Sequence, residues 1–441
     1  EAEQFFSTIE RKLAGPRSIR VNTLKISKEE LRAWLRSQGY SVKDSPYSCD
    51  GLEVTGSGLE WALKLPYQAG FTYPQDSASM FAVEVLNPQP GERVLDLTAA
   101  PGGKSTHIAQ RMENSGVLVA NDMDTHRIKA LKSNLSRLGI VNTYITRLNA
   151  HKLAELYPET FDRILLDPSC SGEGLFVTKE GQPDYWNKKA VKHFSGLQFG
   201  LLRQAFQMLK PGGRLLYSTC ALNSIENDGV VEDFLAKTPE AKVDELVGDE
   251  LKKRGISVPE QIAGLQGIRF WPHKTGTKGF FCIAITKTTS QNLNRPDQSR
   301  FSLKVLSASE RHIYDDYLEK QFGVSAKKYD LVPFEHHLFL ASLAMKELPP
   351  PPGFSLSLPA LKTYEGDTMK PSHEGVLFFA GSATRNVVAL SKEQMEKALK
   401  NLPVTFEGLA QGMYFAGYLQ FPLGLLKIGS QRTELLVPKM A

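Results

Sequence analysis

Cysteine is scarce: the 441 residues hold four, Cys49, Cys170, Cys220 and Cys282, and no two are spaced as CxxC. That is too few for a disulfide framework, and it leaves a structural zinc site unsupported, so no metal is expected. No stretch of about 18 residues is free of polar groups, which excludes a membrane-spanning helix. The opening segment EAEQFFSTIERKLAG has no basic patch leading into an apolar core and does not read as a secretory signal. Reduced thiols then point to the cytoplasm. Charge of one sign is not in large excess: 53 basic against 48 acidic residues leave +5, compatible with a polyanionic partner but weak support for one. The glycine-rich turn of the chain is not spaced G-x-G-x-x-G, and no G-x-x-x-x-G-K-[ST] occurs. A dinucleotide or nucleoside triphosphate is therefore disfavoured there. Internal repeats are absent.

What is present is an ordinary globular composition, 41% apolar and 23% charged, long enough for two or three domains. Residues 1–65 carry a helical opening, the strand-like run RSIRVNTLK, and the helix SKEELRAWLRSQG. Ser27 and Glu30 have capping-box spacing, and Gly39 closes that helix. Arg17, Arg20, Lys25, Arg32 and Arg36 give this block a basic character that suits RNA or, equally, a solvated face. Residues 66–287 alternate strands (RVLDLTAA, GVLVAND, NTYITRLNA, FDRILLDPS, RLLYSTC) with helices, one of them long and covering roughly 190–209. That alternation argues a parallel, doubly wound sheet. Two strands around FWPHKTGTKGFF read as a closing hairpin, the usual shape of a Rossmann-like methyltransferase. Residues 288–300 read as a linker, and 301–441 change to short helices, the run ELPPPPG, and short strands.

Ligands of such sheets sit at the carboxyl ends of the strands. The first strand delivers Asp96 and then Thr98, Ala99, Ala100, Pro101, Gly102, Gly103 and Lys104, small residues that let backbone amides approach a ligand ahead of a helix N-terminus. The second delivers Asp122, placed to accept from both ribose hydroxyls of a nucleoside cofactor; Asp124 is the better helix cap. The third ends at Asn149, a turn residue or a reader of an adenine edge. The fourth brings Asp167-Pro168-Ser169-Cys170, the fifth Ser218-Thr219-Cys220. Neighbouring strands thus place two thiols and a carboxyl group on one rim. This set suits methylation of cytosine carbon 5. A thiolate added to carbon 6 makes carbon 5 nucleophilic, a carboxylic group assists at ring nitrogen 3, and a second thiol helps expel the first.

LDLTAAPGGK, the AND at 120–122, DPSCSG and YSTC together resemble the RNA cytosine-5-methyltransferase family of the Fmu/Sun kind, as do SIRVNTLK, YPQDSASM and FWPHKTGTKGFF. The resemblance spans residues 15–287 in order. The C-terminal third resembles, more weakly, the PUA-like RNA-binding extension of the bacterial RsmF/YebU subgroup, which modifies small-subunit ribosomal RNA. The resemblance implies S-adenosylmethionine as cofactor, with Thr98–Lys104 against its methionine part, Asp122 on the ribose and Asp167 between cofactor and base. It makes Cys220 the nucleophile and Cys170 the releasing thiol. Two departures stand out: Pro168-Ser169 where the family commonly has Ala-Pro, and Asn149 where it usually has Asp. Ribosomal RNA is the leading partner and tRNA the second. A noncatalytic assembly factor would have no need of both cysteines, Asp167 and the glycine loop. A DNA cytosine-5 enzyme would carry its nucleophile directly after a proline, where Ser169 stands.

Overall fold

The computed structural model describes all residues except 13–16, 179–183, 246, 263, 292, 295–301, 365–368, 401, 431–432 and 438–441, and excepting the side chains of 60–62. The N-terminal sheet is antiparallel, with strands β1 (Arg17–Val21), β2 (Ser41–Asp44), β3 (Gly51–Thr55) and β4 (Thr72–Pro74) in the order β2-β3-β1-β4. Its last strand lies past residue 65, so this sheet ends inside the segment expected to open the catalytic core. Helices α1 (Ala2–Arg11), α2 (Lys28–Ser37) and α3 (Leu59–Gln68) belong to this block. The predicted capping box of α2 is formed in both directions between Ser27 and Glu30.

The core sheet contains β5 (Arg93–Asp96), β6 (Val117–Asn121), β7 (Thr143–Thr146), β8 (Phe161–Leu166), β9 (Leu209–Thr219) and β13 (Phe280–Lys287), with three short strands between the last two: β10 (Ala241–Val243), β11 (Glu260–Gln261) and β12 (Ile268–Phe270). The order is β11-β12-β13-β9-β8-β5-β6-β7. β7, β6, β5, β8 and β9 run parallel, and β13 returns antiparallel along β9. The Rossmann-like α/β core expected from the strand–helix alternation is the one observed. Its strands are apolar because both faces are covered. Leu95, Val119, Ile164 and Tyr217 enter one core, while Val94, Leu118, Leu165 and Leu216 enter the other. The chain leaves β5 toward β6 on one side and returns to β8 on the other, so the switch point lies between β5 and β8.

Helices α4 (Ser77–Leu86), α5 (Gly103–Arg111), α6 (Thr125–Leu138), α7 (Ala150–Leu156) and α8 (Lys188–Met208) flank the sheet. C-terminal strands β14 (Asp330–Phe334), β15 (His337–Ala341), β17 (Leu358–Thr363) and β18 (Met369–Pro371) form one small sheet. Another holds β19 (Val387–Ala389), β20 (Gly412–Tyr418), β21 (Phe421–Ile428) and β22 (Thr433–Leu436). β16 (Ser355–Leu356) instead joins the edge of the core sheet, opposite Tyr144 and Ile145 of β7. Of the expected linker, residues 292 and 295–300 lie outside the described residues. The blocks on either side pack together: Val332, Phe339 and Met345 share a core with β5 and β8, and Phe421 packs on Trp34 and Phe71 at 4.9 and 5.0 Å. Among the described residues no helix is long and apolar enough to cross a membrane.

Candidate active site

A cleft of about 300 Å³ opens at the switch point, lined by the 98–104 loop, by Asp96, Asp167 and Cys220, and by Tyr73, Gln75, Asp76, Leu175, Lys278 and Phe280. The loop turns into α5 at Gly102, whose φ of +105° lies where residues with a side chain rarely go. Gly103 packs so closely under Tyr73 that a Cβ would sit 3.2 Å from the ring. Arg20, placed on the sequence as a possible RNA contact, is instead buried. It donates to Gln75 Oε1 (2.8 Å), the Gly103 carbonyl (2.5 Å) and Thr106 Oγ1 (2.7 Å), holding the loop against the N-terminal sheet. Lys25 is likewise turned inward, onto the carbonyls of Ala69, Arg137 and Leu377. Arg32 pairs with Asp44 at 2.6 Å, and Arg36 reaches the Val42 carbonyl.

Lys104 lies 2.5 Å from Asp167 Oδ2, and Ser218 Oγ donates to Asp167 Oδ1 at 2.9 Å. The Asp167 amide is fixed by Thr98 Oγ1 at 3.1 Å. Burial opposes the charge on Lys104, but Asp167, Asp96 and Cys220 together hold its pKa above the ordinary lysine value. Its ammonium also sits 5.4 Å over the Phe280 ring. Asp96 accepts from Ser105 Oγ at 2.6 Å, while its Oδ1 is buried with no side-chain partner among the described residues. Burial pushes this carboxyl up to about 7 against the pull of Ser105 and Lys104. Asp76 caps α4 by accepting from the Ala78 amide and takes the Lys278 amide at 3.3 Å; burial raises it too. The sequence reading passed over Asp76 as a site residue, although an acid just before a helix, inside YPQDSASM, marks it as a cap.

The two rim cysteines meet. Cys170 is buried and hydrogen-bonded to the half-buried Cys220, which lines the cleft. That hydrogen bond first, then burial and the nearby Asp167, hold the Cys170 thiol well above the usual cysteine range. Their loops interlock. The Gly174 amide donates to the Cys220 carbonyl at 2.7 Å, and a Cβ on Gly174 would lie 2.1 Å from the Gly279 oxygen. Buried Glu226 takes the Ser171 amide (3.0 Å), Gln198 Nε2 (2.9 Å) and Asn223 Nδ2 (2.9 Å). Asp122 lies behind the loop: its oxygens accept from the Ala100 and Asp124 amides at 3.0 and 2.9 Å. Asn149 is exposed outside the cleft, and its Oδ1 caps α7 at the Lys152 amide (2.8 Å).

Among solved structures, the chain is similar to a methyltransferase homolog protein from Pyrococcus horikoshii, 32% identical with a TM-score of 0.56, over 65% of this chain and 90% of that one. It is similar to NSun6 from the same organism, solved with SFG, an S-adenosylmethionine analogue, at 25% identity and a TM-score of 0.56 over 66% and 94%. The fold and these likenesses are those of an S-adenosylmethionine-dependent RNA methyltransferase. Residues 83–286 match the family described as 16S rRNA methyltransferase RsmB/F. Ribosomal RNA small subunit methyltransferase F of Shewanella baltica OS185 is 30% identical over 96% of this chain and 90% of its own length. The chain therefore belongs to the RsmB/F family of rRNA methyltransferases. The residues at the cleft suit the cofactor: a glycine turn that brings backbone close, beside a buried carboxyl oxygen, that of Asp96, with no side-chain partner among the described residues.

Proposed function

We propose that the chain methylates carbon 5 of cytosine in small-subunit ribosomal RNA through a covalent adduct on Cys220. The observation that carries this reading is the unequal pair: Cys220 lines the cleft, and Cys170 lies buried behind it and hydrogen-bonded to it. Its contact with Cys220 first, and then burial, raise the Cys170 thiol, so Cys170 keeps its proton and serves as hydrogen-bond donor beside Cys220, whose thiolate is the nucleophilic form. S-adenosylmethionine supplies an electrophilic methyl group when bound. Thr98, Ala99, Ala100, Pro101, Gly102, Gly103 and Lys104 form the backbone cradle for its methionine part, and the free Asp96 Oδ1 suits the ammonium end. Asp122 has lone pairs left for the ribose hydroxyls, and Asn149 keeps one on Oδ1 for the adenine amino group.

On the base, Cys220 Sγ bonds to carbon 6, and the electron pair moves toward ring nitrogen 3. The Asp167–Lys104 pair supplies a proton or hydrogen bond to ring nitrogen 3 as that charge develops. Once carbon 5 carries the methyl group, its proton leaves to water, and the C–H electron pair re-forms the carbon 5–carbon 6 double bond. The carbon 6–sulfur pair returns to Cys220 as a thiolate, which the Cys170 S–H stabilises by donating a hydrogen bond. The C-terminal sheets serve as a PUA-like RNA-binding region. A tRNA substrate is the second reading, and methylation mapping on both RNAs separates the two.

The thiol assignments are tested by electrophoresis of radiolabelled RNA under denaturing conditions. Cys220→Ala should form no adduct and transfer no methyl group. Cys170→Ala should add, transfer, and accumulate a covalent protein–RNA complex. Accumulation in Cys220→Ala instead would exchange the two roles.

A further inference from the structure

Glu173, four residues before Val177, links the thiol loops to an aromatic and basic surface that the reaction above does not use. Its Oε2 accepts from the Leu222 and Asn223 amides at 2.9 and 2.8 Å, two and three residues past Cys220. Its Oε1 accepts from Trp186 Nε1 at 3.2 Å, and Phe176 packs edge-on to the Trp186 ring at 5.8 Å. The segment ahead of α8 is thereby pinned to the Cys220 loop. Tyr185, next to Trp186, is 52% exposed, its ring edge-on to Phe194 at 6.0 Å. An aromatic ring left in water beside a catalytic rim contributes little to folding. The Tyr185 hydroxyl is raised first by burial and then by the charges of Cys170 and Cys220, which agrees with its place near the thiols.

Beyond Tyr185, Lys188, Lys189, Lys192 and His193 are all exposed, and none pairs with an acid among the described residues. The first turn of α8 holds no acid. Two lysines at a helix N-terminus oppose its dipole, so this arrangement does not serve helix stability. It does complement a phosphate backbone.

We propose that Tyr185 and the exposed first turns of α8 form the platform for single-stranded RNA on the thiol side of the cleft. The ring stacks on a base next to the target cytosine, and Lys188, Lys189 and Lys192 hold the adjoining phosphates. The proposal rests on the assignment of the cleft to RNA chemistry.

Its test uses the full chain and two separate readouts: binding of a labelled oligocytidine across a salt series, and methyl transfer to RNA. Tyr185→Ala should weaken oligocytidine binding about 10-fold, as loss of one stacked base does, while Tyr185→Trp retains it. Replacing Lys188, Lys189 and Lys192 together by Ser should lower the salt slope by about two, at roughly 0.7 for each phosphate contact. S-adenosylmethionine affinity should stay unchanged throughout; if Tyr185→Ala loses it, Tyr185→Leu takes its place. Unchanged oligocytidine binding in the tyrosine variant, or an unchanged slope in the lysine variant, overturns the platform. A wild-type chain that transfers no methyl group to cytosine overturns the chemistry proposed above, and the binding arm still decides the platform.

Discussion

Asp96 is a carboxyl group 1% exposed, with one oxygen on Ser105 and the other without a side-chain partner among the described residues. Its pKa of about 7 compares with an ordinary aspartate value of about 3.9. Between those two values the folded chain holds a proton that the unfolded chain has released. Asp96 therefore lowers stability progressively as pH rises from about 4 to about 7. A cationic group seated on its free oxygen reverses the preference, because it binds the ionised form. Cofactor affinity should then rise with pH between about 6 and 8, with a proton released on binding in the lower half of that range. Asp96→Asn should flatten this dependence and weaken binding at the upper end. Calorimetry at the two pH values in buffers of different ionisation enthalpy checks both points. The same slope in the Asn variant would remove Asp96 from the cofactor's surroundings.

At the scale of elements, the two loops that follow β8 and β9 carry the two rim thiols, and Glu226 ties them together. Its side-chain partners among the described residues are neutral donors: the Ser171 amide beside Cys170, Gln198, and Asn223 in the Cys220 loop. Glu226→Gln keeps the shape but turns an NH2 toward one of these donors, an unmade bond worth about 1 to 3 kcal/mol. The two loops should then lose their register. Turnover on RNA should fall at least 10-fold, while affinity for S-adenosylmethionine, assigned above to the 98–104 loop, stays the same. Steady-state kinetics with calorimetry checks this, and an unchanged kcat would refute a positioning role.

The same elements show how far sequence carries. The long core strands were legible because burial on both faces demands a continuous apolar run, whereas the two- and three-residue strands β10, β11 and β16 are too short to leave such a run. Glu226 and Gln198 were not legible, since the partners that bury Glu226 include Gln198 and Ser171, 28 and 55 residues away in sequence. Arg20 and Lys25 looked like surface cations for the same reason: nothing nearby in sequence tells that carbonyls await them. Asn149 shows one residue type filling a turn and a possible site at once. Its cap on α7 was the bland alternative.

The whole molecule is more entangled than its composition suggests. The cleft itself draws only on residues between Tyr73 and Phe280, so removal of everything past the 288–300 segment leaves every lining residue in place. Against that stands the packing. Tyr144 and Tyr157 donate their hydroxyls to the Met345 and Pro349 carbonyls at 2.8 and 2.7 Å, and β7 would be left as an open edge without β16. Leu303, Val332, Phe339, Met345, Leu348 and Leu356 all sit in the core under β5, β8 and β9. These six side chains bury roughly 1.5 to 3 kcal/mol each, a sum comparable to the total stability of about 5 to 15 kcal/mol that a domain has. Such contacts, more than 150 residues apart in sequence, leave no local pattern, so a linker and a separable C-terminal domain were the natural expectation. The packing term wins over the intact lining. A chain cut near residue 290 should lose its cooperative thermal transition and expose Tyr144 and Tyr157. It should bind S-adenosylmethionine weakly because little of it is folded. Calorimetric melting of the cut and full chains decides the matter. A cut chain that melts within a few degrees of the full one, with the same cofactor affinity, would show that the shared core is dispensable and that 301–441 is a detachable module after all.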